Sequence, residues 1–283
     1  MEKIESYRQF SDIVKAFKKK GKEIRSNCFF LPEEVRKMTE KGTLYLEQTE
    51  DCLNFFVSEA GCRRLYYYRN ADAVPMAEKK DTPVFLDFVY REVKEAALNT
   101  EITAWENQGF WLYKKYRRME CMGKDFIPPA DEREMEKTYP VQVLLPSDYE
   151  DCIALWESCL DVYSTLLPDK EEFDRACDKG EIMGVRLKDG RVGAVDRGIF
   201  KGRTAFMQHL SVSHALRGQG LGRTLCSASI GAMFTQYGVE KVNFWVDEKN
   251  THAIGIYERM GFVNDGMISV QLKMNKKTEG VES

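Results

Sequence analysis

Residues 181 to 212, EIMGVRLKDGRVGAVDRGIFKGRTAFMQHLSV, run in period two and are broken twice by glycine turns, at Asp189-Gly190 and Lys201-Gly202. Turns of this kind join antiparallel neighbours, so the run predicts a three-stranded meander. Before it, VQVLL (141 to 145) reads as a strand and PSDYEDCIALWESCLDVY (146 to 163) as a helix capped by Ser147 or Asp148. EEFDRACDKG follows as a second helix, stopped by Gly180. After the meander come RGQGLG (217 to 222), a helix through Tyr237 ended by Gly238, a strand KVNFWV (241 to 246), a helix NTHAIGIYERMG (250 to 261) and a strand GMISVQLKM (266 to 274). The order is β, α, α, β, β, β, α, β, α, β.

The first half repeats most of that order. Helices are expected near 4 to 18 and 32 to 40, then strands at TLYLEQ (43 to 48), CLNFFVS (52 to 58), RRLYYYR (63 to 69) and PVFLDFVYR (83 to 91). WENQGF (105 to 110) echoes YERMGF (257 to 262), each after a helix and before a strand. The chain therefore reads as a duplicated α/β (α+β) fold, each copy a mixed, largely antiparallel central sheet flanked by helices. At roughly 150 residues per domain, 283 residues make two. The charged, double-proline segment GKDFIPPADEREMEKTYP (123 to 140) places the boundary near 130, giving domains 1–130 and 131–283. The copies differ at one point: only ADAVPMAEKKDT (71 to 82) separates the third and fourth strands of the first, with no glycine and no room for a full helix. Tyr66, Tyr67 and Tyr68 are consecutive, so at least one faces away from its own domain's core and is expected to pack on the other domain or line a cleft.

A composition of 43% hydrophobic and 31% charged residues suits a globular protein with a sizeable core, and a net charge of −3 offers no footprint for nucleic acid or an anionic membrane. The basic cluster KAFKKKGKEIR (15 to 25) extends an amphipathic pattern of Ile4, Tyr7, Phe10, Ile13, Val14 and Phe17, and reads as the solvated end of a helix stopped by Gly21. Eight cysteines without a C-x-x-C pair, and three histidines (209, 214, 252) without ligand spacing, predict reduced core thiols and no metal. MEKIESYRQF lacks a signal-peptide core and no stretch approaches the ~20 apolar residues of a membrane span, so a cytoplasmic address is expected.

RGQGLG lies between a strand and a helix. Gly218, Gly220 and Gly222 permit a tight turn and clear side chains from the amides at the helix start, where Arg217 or Arg223 would help hold a pyrophosphate. As a bare string it is more commonly a glycine turn that merely starts a helix. No Lys-Ser/Thr pair follows, which excludes a Walker loop.

LSVSHALRGQGLGRTL followed by VNFWVDEKNTHAIGIYERMGF resembles the GNAT superfamily of N-acetyltransferases. The family's Arg/Gln-x-x-Gly-x-Gly/Ala hallmark is present as Arg217, Gly220 and Gly222, and its second block as Asn250, Tyr257 and Gly261-Phe262. The resemblance covers about residues 138 to 275; for the first half it rests on element order alone. It implies that backbone groups of Leu210, Ser211 and Val212 pair with the pantetheine arm of acetyl-CoA, while Arg217, Gly218, Gln219, Gly220, Leu221, Gly222 and Arg223 hold its pyrophosphate. It also implies that the Val212 N–H polarises the thioester carbonyl and that Asn250 bonds the cofactor arm between strands that splay apart.

Tyr257 fits the acid that protonates the departing thiolate, since a phenol with a pKa of about 10 stays protonated at neutral pH. The alternative is that it only packs in a helix stripe with Ile254 and Ile256. Trp245 stands where some family members carry a glutamate base, so His209 is the candidate base, with Asp196 and Asp247 as alternatives that could instead recognise a cationic acceptor. The expected activity is acetyl-CoA-dependent transfer, by direct attack, to a primary amine of a small molecule or peptide, with a degenerate N-terminal copy. A non-catalytic acyl-CoA sensor or scaffold is the second reading. Neither the acceptor nor the oligomeric state is written in the sequence.

Overall fold

A computed structural model describes residues 1–20, 23–59, 61–129, 137–161 and 163–275. The chain forms two compact units, Met1–Tyr116 with Gly266–Ser283, and Arg117–Asp265. The boundary expected near residue 130 lies outside the described residues. Just before it, Phe126 packs on Phe234 with ring centroids 5.6 Å apart and the Ile127 N–H donates to the Met260 carbonyl at 3.1 Å. The start of the proline-containing segment is thus part of the second unit.

The first unit contains β1 (Glu2–Lys3), α1 (Tyr7–Lys18), β2 (Ile24–Ser26), α2 (Pro32–Glu40), β3 (Leu44–Gln48), β4 (Cys52–Glu59), β5 (Cys62–Asn70), β6 (Val84–Arg91) and α3 (Glu95–Glu106). The side chain of Ser6 caps α1 by accepting from the Gln9 N–H, and Lys19 is its C-cap; Gly21 lies outside the described residues. The sheet runs β1-β3-β4-β5-β6, with β2 on β5. Phe10, Val14 and Phe17 of α1 and Val35 of α2 cover one face, on Leu44, Leu46 and Phe55. Trp105 of α3 covers the other, on Phe56, Leu86 and Phe88. The three tyrosines therefore need no partner domain: Tyr68 joins the first layer, Tyr67 the second, and Tyr66 packs on Phe30 at 4.4 Å.

The second unit takes the later part of β7 (Trp111–Met122) and contains β8 (Val141–Val143), α4 (Tyr149–Cys159), α5 (Lys170–Asp178), β9 (Ile182–Arg186), β10 (Val192–Lys201), β11 (Thr204–Val212), α6 (Leu221–Thr235), β12 (Lys241–Asp247) and α7 (Thr251–Arg259). Its strand order is β7-β12-β11-β10-β9-β8. The helix expected over 146 to 163 is a 3-10 turn, Pro146–Asp148, followed by α4, because the Asp148 carboxylate folds back to accept from the Leu145 N–H at 2.7 Å. Trp156 and Phe173 from α4 and α5 cover one face. Cys226, Ile230 and Met233 of α6 and Ile254 of α7 cover the other.

The last strand of each half changes sheets. β13 (Val263–Met274) runs antiparallel to β6, from Met267 opposite Arg91 to Met274 opposite Val84, while β7 lies beside β12. A strand such as β6, whose Val84, Phe85 and Leu86 are fully buried, must have both edges paired, and residue order alone does not say which terminal strand does so. The WENQGF and YERMGF echo has a local cause. In each, glycine takes a positive φ, 93° at Gly109 and 90° at Gly261. The following phenylalanine N–H then closes on the carbonyl five residues back, Phe110 on Trp105 and Phe262 on Tyr257. This is a helix stop used twice.

Candidate active site

The site grows from a defect in β11. Val195 pairs with Ser211 and Arg197 with Gln208, so two residues of β11, His209 and Leu210, face the single residue Asp196 of β10. This is a β-bulge, and His209 carries its strain with a φ of 59°, unusual for a side chain of its size. The second break is between β11 and β12. These parallel strands pair over Thr204–Phe206 against Lys241–Asn243 and then part, so that among the described residues the later half of β11, including Leu210, Ser211 and Val212, has no strand pairing on that edge. A separating parallel pair presents backbone donors and acceptors to a ligand lying between the strands.

At the end of β11 the chain enters the glycine turn. Gly218 and Gly220 have φ of 77° and 86°, and a Cβ at either would meet nothing within 4 Å, so glycine is required there by backbone conformation. At Gly222 the space is tight: a Cβ there would stand 3.3 Å from Val212 Cγ2, so that side chain would have to give by a few tenths of an ångström. Gly220 precedes α6 without any side-chain cap, and the first helical hydrogen bond is made by Arg223 N–H to the Gly220 carbonyl at 3.0 Å. The amides of Leu221 and Gly222 precede that bond at the positive end of a 15-residue helix. Gln219 closes the turn locally through its Nε2 and the Ala215 carbonyl, 3.4 Å. Arg217 folds back, with Nε on the Val212 carbonyl at 3.1 Å and Nη2 on Cys159 Sγ at 3.2 Å. No sequence signal pointed to Cys159, which sits at the end of α4.

Asn250 caps α7, its Oδ1 accepting from the Ala253 N–H at 3.2 Å, which leaves the amide nitrogen for other partners. One α-helical turn beyond Ala253, Tyr257 packs on Phe244 at 4.4 Å and on Phe262 at 6.2 Å. Among the described residues no hydrogen bond holds its hydroxyl, and burial, with Cys226 and Asp196 nearby, pushes its pKa well above the ordinary phenol range. The ring thus packs against the same core cluster as Ile254 and Ile256.

His209 points to the opposite side of the sheet. Its ring meets Trp156 edge-on at 5.3 Å, and Trp156 Nε1 donates to the His209 carbonyl at 2.6 Å, holding the bulge from α4. Burial, and then the charge of Arg197, lower its pKa to about 4, so the imidazole is neutral at physiological pH with a buried Nδ1 that has no partner. Trp245 is 38% exposed and lies 5.8 Å from the Arg118 guanidinium. Asp247 Oδ1 is engaged with the Lys249 N–H at 2.9 Å. Asp196 is fully buried, and neither of its oxygens has a hydrogen-bond partner among the described residues. Ser229 of α6 lies close enough to influence it but falls short of hydrogen-bond geometry, and its own Oγ is likewise unpartnered. Sequence reading reached Asp196 as an alternative base and missed Ser229, which nothing distinguishes from the other small residues of α6.

Residues 136–262 match the acetyltransferase (GNAT) family. Over 53 residues the chain is 42% identical to the mycothiol acetyltransferase of Salinispora tropica, which is 19% of this chain and 17% of that relative. It is 28% identical over 132 residues to an acetyltransferase of Yersinia enterocolitica, covering 43% of this chain and 86% of the relative. Among solved structures it is similar to a GCN5-related N-acetyltransferase from Sphaerobacter thermophilus, with a TM-score of 0.55, 15% identity and coverage of 87% and 85% of the two chains. It is also similar to a tandem GNAT protein from the clavulanic acid biosynthesis pathway, with a TM-score of 0.54, 12% identity and coverage of 98% and 96%. No helix among the described residues is long and apolar enough to cross a membrane. Residues 136–262 are an acetyltransferase domain of the GNAT family, set in a chain that has the tandem GNAT fold.

Proposed function

We propose that the C-terminal unit transfers an acetyl group from acetyl-CoA to a primary amine of a small molecule or peptide by direct attack. The observation that carries this reading is the parting of β11 and β12 beside an uncapped glycine turn, with Tyr257 on the helix that follows β12. The pantetheine arm would pair with the free edge at Leu210–Val212, and its pyrophosphate would meet the amides of Leu221 and Gly222 at the start of α6, with Arg223 close by. An incoming amine attacks the thioester carbonyl, the C–N bond forms, and the C–S bond breaks as Tyr257 donates its phenolic proton to sulfur. With a pKa near 4, His209 is too weak a base to deprotonate a free ammonium, so the acceptor arrives as the neutral amine, and His209 helps only once attack has made the nitrogen acidic.

Calorimetric titration with acetyl-CoA is the first test: wild type binds and Arg217→Glu binds at least about tenfold more weakly, a loss of ~1.4 kcal/mol. Absence of binding by wild type would end the reading. Tyr257→Phe is then expected to cut turnover by about 10²-fold or more while leaving acetyl-CoA binding intact; unchanged turnover removes its role as acid. The sensor reading draws on one observation, the weak basicity of His209. It gains if a broad amine panel leaves bound acetyl-CoA unconsumed.

A further inference from the structure

The first unit has a strand break of the same kind as the second. Among the described residues its parallel neighbours β5 and β6 pair at Arg63 with Val84 and at Arg64 with Phe85, and then part. β5 and β11 are each nine residues long, so Tyr68, Arg69 and Asn70 end the one strand as Leu210, Ser211 and Val212 end the other. In the first unit that edge is covered. β2 runs antiparallel to it, with Ile24 opposite Asn70, Arg25 opposite Arg69 and Ser26 opposite Tyr68. β4 takes the other edge of the same residues, pairing Cys52 with Arg69 and Leu53 with Tyr68, so β2 lies in the gap on the β6 side.

One side chain spans the gap just beyond the last β5–β6 pair. Asn27 Nδ2 donates to the Leu65 carbonyl of β5 at 3.2 Å and to the Asp87 carbonyl of β6 at 3.1 Å, while Oδ1 accepts from the Tyr67 N–H at 2.8 Å. A single primary amide thereby joins the two parted strands. Ser26 Oγ donates to the Tyr67 carbonyl at 2.7 Å, and the Ala71 N–H donates to the Glu23 carbonyl at 2.8 Å, which carries the pairing past both ends of β2. Backbone groups exposed by a strand break need partners, and here the chain supplies them from the connection between α1 and α2. The corresponding connection in the second unit, between α4 and α5, contains no strand among the described residues.

We propose that residues 23–27 are the first unit's own ligand: they fill by strand addition the cleft that an acyl-CoA arm would take, so that each chain has a single cofactor site, in the second unit. The count of one rests on the transfer reading above, whereas the filled cleft rests on the hydrogen bonds alone. A pantetheine arm is an extended chain carrying amides, and a strand edge recognises such a chain through backbone donors and acceptors. β2 presents main-chain amides to the same kind of edge, and Asn27 adds a side-chain amide where the strands diverge. Because the segment is tethered between α1 and α2, it competes at an effective concentration on the order of millimolar or more, against a cofactor that must come from solution.

Hydrogen exchange on the full chain tests the filled cleft. The amides of Tyr67 and Ala71 are expected to exchange as slowly as those of β4, and Asn27→Ala to speed exchange at Tyr67 about tenfold or more while β3 and β4 keep their protection. Fast exchange at both amides in wild type, which needs no variant to fold, overturns the proposal, and so does a Tyr67 amide indifferent to Asn27→Ala. Calorimetric titration with acetyl-CoA is expected to give one site per chain, with bound acetyl-CoA slowing exchange in β11 and at the start of α6 but not in β5. Two sites per chain, or new protection in β5 and β6, overturns the proposal alone. Wild type that binds no acetyl-CoA overturns the transfer reading and the count of one, while slow exchange at Tyr67 and Ala71 still upholds the filled cleft.

Discussion

Arg69 and Asp196 are both buried ionisable side chains on central strands, one in each unit, and their surroundings are opposite. Arg69 Nε donates to Glu101 Oε1 at 2.8 Å, its Nη2 pairs with Glu101 Oε2, and its Nη1 donates to the carbonyls of Asn70, Ala71 and Ala73. Glu101 also accepts from the Tyr67 hydroxyl, from Arg25 and from Trp105 Nε1. In the echo, Trp105 occupies the position that Tyr257 holds in the other copy. The cluster around Glu101 thus satisfies its own charges, although Asn70 Oδ1 and Thr82 Oγ1 of the same unit are buried without a partner among the described residues, and Arg69 stitches down the 70-to-73 turn where the other unit has its glycine turn. The C-terminal unit leaves Asp196, Ser211, Ser229 and the His209 ring nitrogen with unpartnered buried atoms. Saturation suits a scaffold, whereas open polar atoms at a strand break suit a unit that acts on a substrate.

The largest expected effect breaks the saturated side. Burial alone would raise the pKa of Glu101, but hydrogen bonds from Arg69, Tyr67 and Arg25 outweigh it and hold the carboxylate ionised. Glu101→Ala strands the Arg69 guanidinium and is expected to cost about 3–5 kcal/mol in urea unfolding. The open side responds in the other direction. Asp196 has a folded pKa raised above its unfolded value, so its contribution to stability is full below the unfolded pKa of 3.8 and is lost as pH rises through about 8. Asp196→Asn is therefore expected to be more stable than wild type above pH 8, and a lower unfolding midpoint there would contradict the assignment.

The next effect sharpens the open side from the opposite face of the sheet. His209 has its folded pKa depressed from 6.5 to about 4, so the unfolded chain binds the extra proton and stability declines as pH falls from 6.5 toward 4. By ~1.36 kcal/mol per pKa unit the window is worth about 3 kcal/mol. His209→Gln should flatten the pH dependence of unfolding in that window; an unchanged slope would show that the imidazole is solvated.

Much of this contrast could be read in residue order, for physical reasons. Gly190 and Gly202 both take positive φ, as the turns of the meander require, and Gly180, Gly238 and Gly261 follow helices with the same backbone sign. Such signals are local and depend on one residue's conformational freedom. The bulge at His209 is not legible, because no glycine marks it; a tryptophan 53 residues earlier holds it in place. The exchange of β7 and β13 is hidden for a similar reason, since both strands follow the same helix stop and edge pairing is decided across the whole sheet. The tyrosine run of β5 misled because period two says that faces alternate, and both faces of that strand are covered within its own unit.

A smaller effect tests the glycine turn that only one unit has. Gly220→Val forces a β-branched residue to a φ of 86°, at roughly 1–2 kcal/mol of local strain, although its Cβ has open space. Acetyl-CoA affinity is expected to fall about tenfold while urea stability changes by less than 2 kcal/mol. Equal affinity would reduce the turn to a helix start.

The smallest effect separates two roles of one residue. Asn250 caps α7 through Oδ1, whereas α3, the corresponding helix of the other unit, starts at Lys94 with no side-chain cap. Capping is worth ~1 kcal/mol and serine performs it nearly as well as asparagine, so Asn250→Ser should keep wild-type stability and Asn250→Ala should lose about that amount. Neither replacement has an amide nitrogen. If that nitrogen holds the cofactor arm, both variants weaken acetyl-CoA binding equally and only the alanine is less stable. If affinity follows stability instead, with serine matching wild type in both, Asn250 serves the helix and the pairing of the cofactor belongs to the β11 edge alone.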